Sequence, residues 1–216
     1  MKSVLPRMLL VAMAVCGTAV LAADPPHPTV QQPAVQAQGT QVQEPAKPEV
    51  PVLVGPATRE QIEGAVPEWV QAEVESHPDA KAVEVLAAVE PGAEVTIFLG
   101  TWCGDSRREV SRFWRSVDDA GGAARFKVTY VAVDRQKKEP AGSVTENGIR
   151  FLPTFIVRRE GREVGRIVET APHGIEGDLA ALLVGWKQGL ITTRTDLSSA
   201  TPAAPAAPAD IAKPQR

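Results

Sequence analysis

Residues 95–106 read Val-Thr-Ile-Phe-Leu-Gly-Thr-Trp-Cys-Gly-Asp-Ser, and this stretch decides the fold. Its first five residues are apolar on both faces and predict a strand at the centre of a sheet. After a short turn, a helix is expected to begin close to Cys103. Helix N-termini carry free N–H groups and partial positive charge, so a thiol placed there is stabilised as the reactive thiolate. The stretch therefore predicts a redox-type site at Cys103.

The same stretch holds only one sulfur, because Ser106 stands three residues after Cys103. Two-cysteine redox enzymes place there a second cysteine, which attacks the mixed disulfide and releases the partner. Ser106 is expected either to donate a hydrogen bond to the Cys103 thiolate or to be only a small polar residue in the helix. Trp102 is expected to shield one side of the sulfur and contact partners, although a half-buried rim tryptophan is an adequate structural account.

Residues 1–23 have the pattern of an export signal. Lys2 and Arg7 give a basic start, an apolar segment follows, and small residues then precede Asp24. The protein is therefore expected to be exported, either periplasmic or extracellular. Membrane attachment is expected only through an uncleaved signal or a lipid anchor on Cys16. Cleavage near residue 22 would leave a single cysteine, so an intramolecular disulfide would be excluded.

Composition divides the rest of the chain into three parts. Residues 24–56 contain eight prolines and six glutamines and are expected to form a disordered linker. Residues 194–216 are rich in alanine and proline and are expected to form a disordered tail. Residues 57–193 have the size of one ordinary domain with its own core.

Charge and histidine spacing exclude several functions. The net charge is −3, which gives no support for nucleic-acid binding. The three histidines, His27, His77 and His173, show no ligand spacing with one another or with cysteine, so no metal site is expected. No cofactor is expected either.

Hydrophobic periodicity predicts alternating helices and strands within the domain. Trp186 is expected to pack inward from the last helix. The helices are expected at residues 58–74 (a weak pattern), at residues 79–89, after Cys103, and at residues 175–187. The strands are expected at residues 95–99, 126–133, 154–157 and 163–168, the last two joined by a hairpin turn. This order predicts an α/β fold in which a mixed central sheet is sandwiched between helices.

Two segments resemble the thioredoxin superfamily over roughly residues 79–190. One is Thr-Trp-Cys-Gly at residues 101–104, at the strand-to-helix turn. The other is Asn-Gly-Ile-Arg-Phe-Leu-Pro-Thr at residues 147–154, at the start of a later strand. The resemblance implies a thioredoxin-like fold and a cis Leu152–Pro153 bond beside Cys103. It also implies that the backbone of Leu152 offers an edge to which an extended peptide pairs.

The chain departs from that family at Ser106, at Ile97 and at Ser111. Ile97 stands where thioredoxins keep a buried aspartate that serves the second thiol, so its absence agrees with the absence of that thiol. Two functions remain open. One is one-cysteine thiol–disulfide exchange through Cys103 with protein or small-molecule thiols and disulfides, completed by an external resolving thiol. The other is a non-catalytic binding or chaperone-like module that uses the edge at Leu152 and Pro153.

Overall fold

The computed structural model describes residues 49–197, which contain six strands and six helices. The strands are β1 (Gly55–Ala57), β2 (Ala93–Leu99), β3 (Lys127–Ala132), β4 (Thr154–Arg159), β5 (Arg162–Val168) and β6 (Gly189–Thr192). The helices are α1 (Arg59–Ala65), α2 (Glu68–Val74), α3 (Ala80–Ala87), α4 (Gly104–Asp119), α5 (Ala141–Glu146) and α6 (Ile175–Leu183).

The strands form one mixed sheet in the order β1-β3-β2-β4-β5-β6. Strand β2 is parallel to β3 and antiparallel to β4, while β4 and β5 form an antiparallel hairpin. The edge strand β1 runs antiparallel to β3, and the other edge strand, β6, runs parallel to β5. The predicted α/β class with a mixed sheet between helices is confirmed, and the arrangement is compatible with a thioredoxin-like α/β fold.

Strand β2 occupies the centre of the sheet because both of its faces are apolar. Ile97 lies opposite Phe155 of β4, and both belong to the larger hydrophobic cluster. The next residue of β2, Phe98, points to the other face, where it packs in a smaller cluster with Ile156 and Leu152. Side chains alternate between faces along a strand, so a continuous apolar run buries both.

Helices α2, α3, α4 and α6 cover the larger cluster. The rings of Trp69 and Trp114 lie 5.8 Å apart there and join α2 to α4. Each is only 1% exposed, and burying such a side chain stabilises the fold by about 2–3 kcal/mol. The opposite face is covered by α5 through Val144, and it is against this smaller cluster that Trp102 and Cys103 pack.

Two helix predictions need correction. The weak pattern over residues 58–74 is two helices, because α1 ends at a C-cap at Val66 and Pro67 starts α2. The last helix ends at Leu183 rather than residue 187, since Gly185 adopts a φ of +81° that a helix does not continue. Trp186 consequently lies beyond the helix and is 73% exposed, so its predicted burial is wrong.

Described structure continues beyond both ends of the predicted domain, residues 57–193. Strand β1 begins at Gly55, within the segment assigned to the linker. Arg194, assigned to the tail, donates to the carboxylates of Glu169 and Asp196. The predicted signal at residues 1–23 and most of the predicted tail lie outside the described residues.

Candidate functional site

The turn between β2 and α4 places Cys103 at the first position of a long helix. Cys103 is the N-cap residue of α4, with extended backbone angles of φ −95° and ψ 122°. Its N–H donates to the carbonyl of Gly100 at 2.9 Å, and its carbonyl accepts from the N–H of Arg107 at 3.0 Å. Cys103 therefore lies at the N-terminus of a 16-residue helix, and its side chain makes no capping hydrogen bond to the helix N–H groups.

In the structure, Cys103 lies next to residues 147–154, the segment that the sequence analysis expected beside it. The Leu152–Pro153 bond is cis, as the resemblance implies. The Cys103 Sγ lies 3.6 Å from the carbonyl oxygen of Leu152, to which the thiol donates. Cys103 is half-buried, whereas the side chains of Leu152 and Pro153 are buried. Leu152 as a whole is only 3% exposed, and its carbonyl is held by the thiol in this structure.

Pro153 immediately precedes β4, a position that needs no ladder donor. Its carbonyl accepts a 2.8 Å hydrogen bond from the N–H of Glu169, just after β5. This bond fixes the start of β4 against the end of β5. The Leu152 carbonyl that faces the sulfur is thereby carried on a part of the backbone held by the sheet.

Trp102 forms one wall beside the sulfur and is itself held from two sides. Its indole Nε1 donates to the carbonyl of Val133 at 3.0 Å. The guanidinium of Arg135 lies over the ring, 5.6 Å from its centroid. The ring also packs on Gly100, where an added Cβ would lie 2.8 Å from the indole Cε2. Glycine at position 100 is therefore required by this close approach.

Ser106 is fully buried, and its hydroxyl accepts a 3.1 Å hydrogen bond from the N–H of Gly100. Within residues 49–197, no hydrogen bond joins Ser106 to Cys103. Of the two roles considered for Ser106, this geometry favours a polar residue that fixes the turn. Ser106 thus stabilises the turn that carries Cys103.

Three of the charged residues at the start of α4, Asp105, Arg108 and Glu109, are paired with one another. Arg108 donates to Asp105 at 2.7 Å, to Glu109 at 3.1 Å and to the hydroxyl of Thr170 at 2.9 Å. Burial raises the pKa of Glu109, against the opposing effect of its hydrogen bond from Arg108. Arg108 is therefore committed to these three partners, and Asp105 interacts with Arg108 as well as with the helix dipole.

Sequence reasoning did not identify Thr101 as part of the site. Its hydroxyl donates to the carbonyl of Pro51 at 2.5 Å and accepts from the N–H of Leu53 at 3.3 Å. The segment before β1 is thereby attached to the back of the turn that carries Cys103. Only a contact across 48–50 residues of sequence reveals this role, and no local pattern indicates it.

The described part of the chain has neither a metal-binding cluster nor a membrane-spanning helix. Within residues 49–197, no three histidine, cysteine, aspartate or glutamate side chains are grouped so that they could hold a metal ion. No helix in that range is long and apolar enough to cross a bilayer.

Comparison with known proteins finds only distant structural similarity. No protein-family model matches the chain, and no curated protein matches it. A protein of unknown function from Pseudomonas aeruginosa has a similar structure with a TM-score of 0.44 and 14% identity, covering 61% of this chain and 88% of the other. An HIV epitope-scaffold protein gives a TM-score of 0.44 and 14% identity over 60% of this chain and 87% of the other. Similarity at this level carries no conclusion about function.

Proposed function

We propose that this chain is an exported thioredoxin-like protein that performs one-cysteine thiol–disulfide exchange through Cys103. The observation that carries the proposal is the position of the sulfur. It is half-buried at the N-terminus of α4 and 3.6 Å from the Leu152 carbonyl, beside a cis proline. A cysteine thiolate is the nucleophile in disulfide exchange.

The reaction begins when the Cys103 thiolate attacks one sulfur of a substrate disulfide R–S–S–R′. A bond forms between Cys103 Sγ and the R sulfur, and the R′ sulfur leaves with the electron pair of the broken bond and takes up a proton. An external thiol R″–SH, after losing its proton, attacks the R sulfur and releases Cys103 as the thiolate. The sum converts R–S–S–R′ and R″–SH into R–S–S–R″ and R′–SH, with no net change of the protein.

The external thiol is needed because Ser106 supplies no second sulfur. Cys103 is the one cysteine among residues 49–197, and Cys16 lies in the predicted signal outside that range. The mixed disulfide on Cys103 should accordingly persist until a thiol from solution resolves it.

Trapping of that adduct tests the proposal. Reduced protein is mixed with a peptide disulfide, and mass spectrometry should find the peptide attached to Cys103 until glutathione or dithiothreitol is added. In the full chain, the Cys103→Ser variant should form no adduct at residue 103, while Cys16→Ser, the matched control, should form the Cys103 adduct at the original rate. Repeated turnover of the disulfide without added thiol would contradict the one-cysteine mechanism.

A second function, a non-catalytic binding module, is favoured by one observation. The Cys103 thiol donates to the Leu152 carbonyl, and Ser106 accepts from the Gly100 N–H, so within residues 49–197 no hydrogen bond from a side chain activates the sulfur. The rate of Cys103 alkylation by iodoacetamide separates the two functions. At neutral pH an activated thiolate should react about tenfold faster than an unstructured cysteine peptide, whereas a rate equal to or below that of the peptide would favour the binding module.

A further inference from the structure

Two aromatic residues adjacent in sequence to the Cys103–Leu152 contact both have cationic side chains over their rings. Trp102 precedes Cys103 in the chain, and Phe151 precedes Leu152, whose carbonyl accepts from the thiol. The Arg135 guanidinium lies 5.6 Å from the Trp102 ring centroid. Over Phe151, the Lys137 ammonium lies at 5.9 Å and the Arg150 guanidinium at 5.7 Å from the ring centroid. We call Arg135, Lys137 and Arg150 the cationic rim.

Within residues 49–197, the three rim side chains have no hydrogen bond or ion pair to any carboxylate. A fourth cation, Arg194, also lies over Phe151, 3.9 Å from the ring centroid. Arg194 differs from the rim, because its guanidinium donates to Glu169 and to both carboxylate oxygens of Asp196. It holds the Phe151 ring in place, and the rim cations keep their donors available to a ligand.

The acidic side chains near the rim are held by other groups. The carboxylate of Asp134 accepts from the backbone N–H groups of Glu139, Lys138 and Gln136, and these bonds lower its pKa. Glu139 accepts from the N–H of Ala141. On the other side of the sulfur, Asp105 is paired with Arg108. The hydrogen bonds of these carboxylates go to backbone N–H groups and to Arg108, which leaves the rim donors without a carboxylate partner within residues 49–197, in a chain whose net charge is −3.

The loop around Asp134 fixes the backbone that carries Arg135 and Lys137. Its three backbone hydrogen bonds close the loop after β3, and the N–H of Lys137 donates to the Asp134 carbonyl at 3.0 Å. Lys137 has a φ of +56°, the left-handed region that favours glycine, so this turn is held by its bonds rather than by residue preference. Cations held over rings lose little freedom on binding an anion.

We infer that the Cys103 site selects acidic peptide segments, in which the sulfur that exchanges with Cys103 is flanked by glutamate or aspartate side chains. The inference rests on the proposed exchange function and names its substrate class. Carboxylates beside the reacting sulfur would meet the open donors of Arg135, Lys137 and Arg150 as the sulfur approaches Cys103. Charge complementarity of this kind raises the rate of encounter and excludes partners of like charge.

The test compares three peptides that differ only in the residues flanking one cysteine, which are glutamate, glutamine or lysine. Each cysteine is blocked as a mixed disulfide with thionitrobenzoate, and release of the coloured thionitrobenzoate reports attack by Cys103. The anionic leaving group is the same in all three peptides and cancels from the comparison. Each rate is divided by the rate of the same peptide with mercaptoethanol, which removes intrinsic differences in disulfide reactivity.

The acidic peptide should react about tenfold faster than the basic one at low salt, and the ratio should fall as salt is added. In the variant that combines Arg135→Gln, Lys137→Gln and Arg150→Gln, the ratio should fall to within about twofold of unity. The matched control combines Arg125→Gln, Lys127→Gln and Arg162→Gln. These residues lie at the opposite end of the sheet from Cys103, and the control should keep the original ratio.

The outcomes separate the two proposals. If all three peptides form the Cys103 adduct at equal normalised rates, or the rim variant keeps the wild-type ratio, the acidic-substrate inference is wrong and the exchange function stands. If no peptide reacts with Cys103, the exchange function itself is wrong, and the inference fails with it. Alkylation of the rim variant by neutral iodoacetamide at the wild-type rate shows that Cys103 itself is unaltered. A change in that rate comparable to the change in peptide rate would overturn the assignment of the rim to substrate selection.

Discussion

The buried hydroxyl of Ser106 accepts a 3.1 Å hydrogen bond from the backbone N–H of Gly100, across the turn that carries Cys103. A buried N–H without an acceptor costs free energy, so this bond stabilises the turn as well as the first turn of α4. The residue that replaces a resolving cysteine therefore has a structural role of its own. The one-sulfur site is accordingly supported by specific packing at the position of the missing thiol.

Ser106→Ala should lower the free energy of unfolding by about 1–2 kcal/mol, because the Gly100 N–H loses its acceptor. Urea unfolding measures this difference. Ser143→Ala in α5 is the matched control, since no side-chain hydrogen bond of Ser143 exists within the described residues, and its effect should stay within about 0.5 kcal/mol. The alkylation rate of Cys103 should be unchanged in Ser106→Ala. A large fall in that rate with little loss of stability would instead assign Ser106 to the thiolate.

Gly100→Ala should displace the Trp102 ring, because the new Cβ would lie 2.8 Å from the indole Cε2. Overpacking of this kind costs about 1–3 kcal/mol, and the hydrogen bond from Trp102 to the Val133 carbonyl should weaken. Urea unfolding and quenching of tryptophan fluorescence by acrylamide measure the two effects. Gly64→Ala in α1, where nothing lies within 4 Å of the added Cβ, should instead stabilise the protein by up to about 1 kcal/mol. Equal effects of the two substitutions would show that the Trp102 contact does not require glycine.

Much of the fold follows from local sequence because each central element carries its own pattern. The apolar run at residues 95–99 and the periodic face of α4 specify a buried strand followed by a helix, and both are observed. Strand β6 gave no such signal. It is a four-residue edge strand held by its pairing with β5, and tertiary pairing of this kind leaves little trace in sequence.

Site residues that belong to a sequence motif could be predicted. Site residues whose role depends on a contact between distant parts of the chain could not. Cys103 and Leu152 could be paired because each belongs to a recognisable segment, and they lie in contact. Thr101 could not be found, because its partners belong to a proline-rich segment that composition assigns to a linker. The burial of Trp186 was predicted wrongly because the helical spacing of apolar residues continues past Leu183, whereas the helix itself ends there.

Remote from the site, Glu73 and Asp118 share the guanidinium of Arg59. Arg59 donates to Glu73 at 2.6 Å and to Asp118 at 3.1 Å. Burial, together with a hydrogen bond to Asp118, raises the pKa of Glu73 to about 7. Burial opposes ionisation of Asp118 too, but hydrogen bonds from Arg59 and Glu73 outweigh it and lower the pKa of Asp118. Glu73 thus carries the proton that the two carboxyl groups share.

This raised pKa predicts how stability depends on pH. The folded protein binds more protons than the unfolded chain between the ordinary value of 4.5 and about 7. The contribution of Glu73 is therefore fully present below the lower value and is lost as pH rises through the upper one. Glu73→Gln, which mimics the protonated form, should match the wild-type stability at acidic pH. Above neutrality it should exceed the wild type by about 1 kcal/mol, after allowance for solvent screening.

Thermal unfolding at several pH values measures the predicted difference between wild type and Glu73→Gln. Glu68→Gln, on the exposed surface of the same helix, is the matched control and should give no difference that grows with pH. The assignment would be wrong if Glu73→Gln were less stable than the wild type throughout, because Glu73 would then be stabilising as the ionised partner of Arg59.

Ser106→Cys tests whether the scaffold is a working redox site that lacks one sulfur. Residues three apart in the first turn of a helix lie within disulfide range, so oxidation should join Cys103 to the new thiol. The variant should then reduce protein disulfides with dithiothreitol as the reductant. The gain should be partial, because Ile97 is buried where a carboxylate would accept the second proton, and because the thiol is a weaker acceptor for the Gly100 N–H.

The control for Ser106→Cys is Arg115→Cys, which places a second thiol on the exposed surface of the same helix. Twelve residues along a helix correspond to about 18 Å, so this thiol cannot reach Cys103 and should give neither a disulfide nor activity. Mass spectrometry after oxidation and a reductase assay on several protein substrates measure both properties. A Ser106→Cys variant that forms the disulfide yet reduces none of those substrates would show that the surroundings of Cys103 do not support exchange. The binding module at the Leu152 edge would then be the better account of this chain.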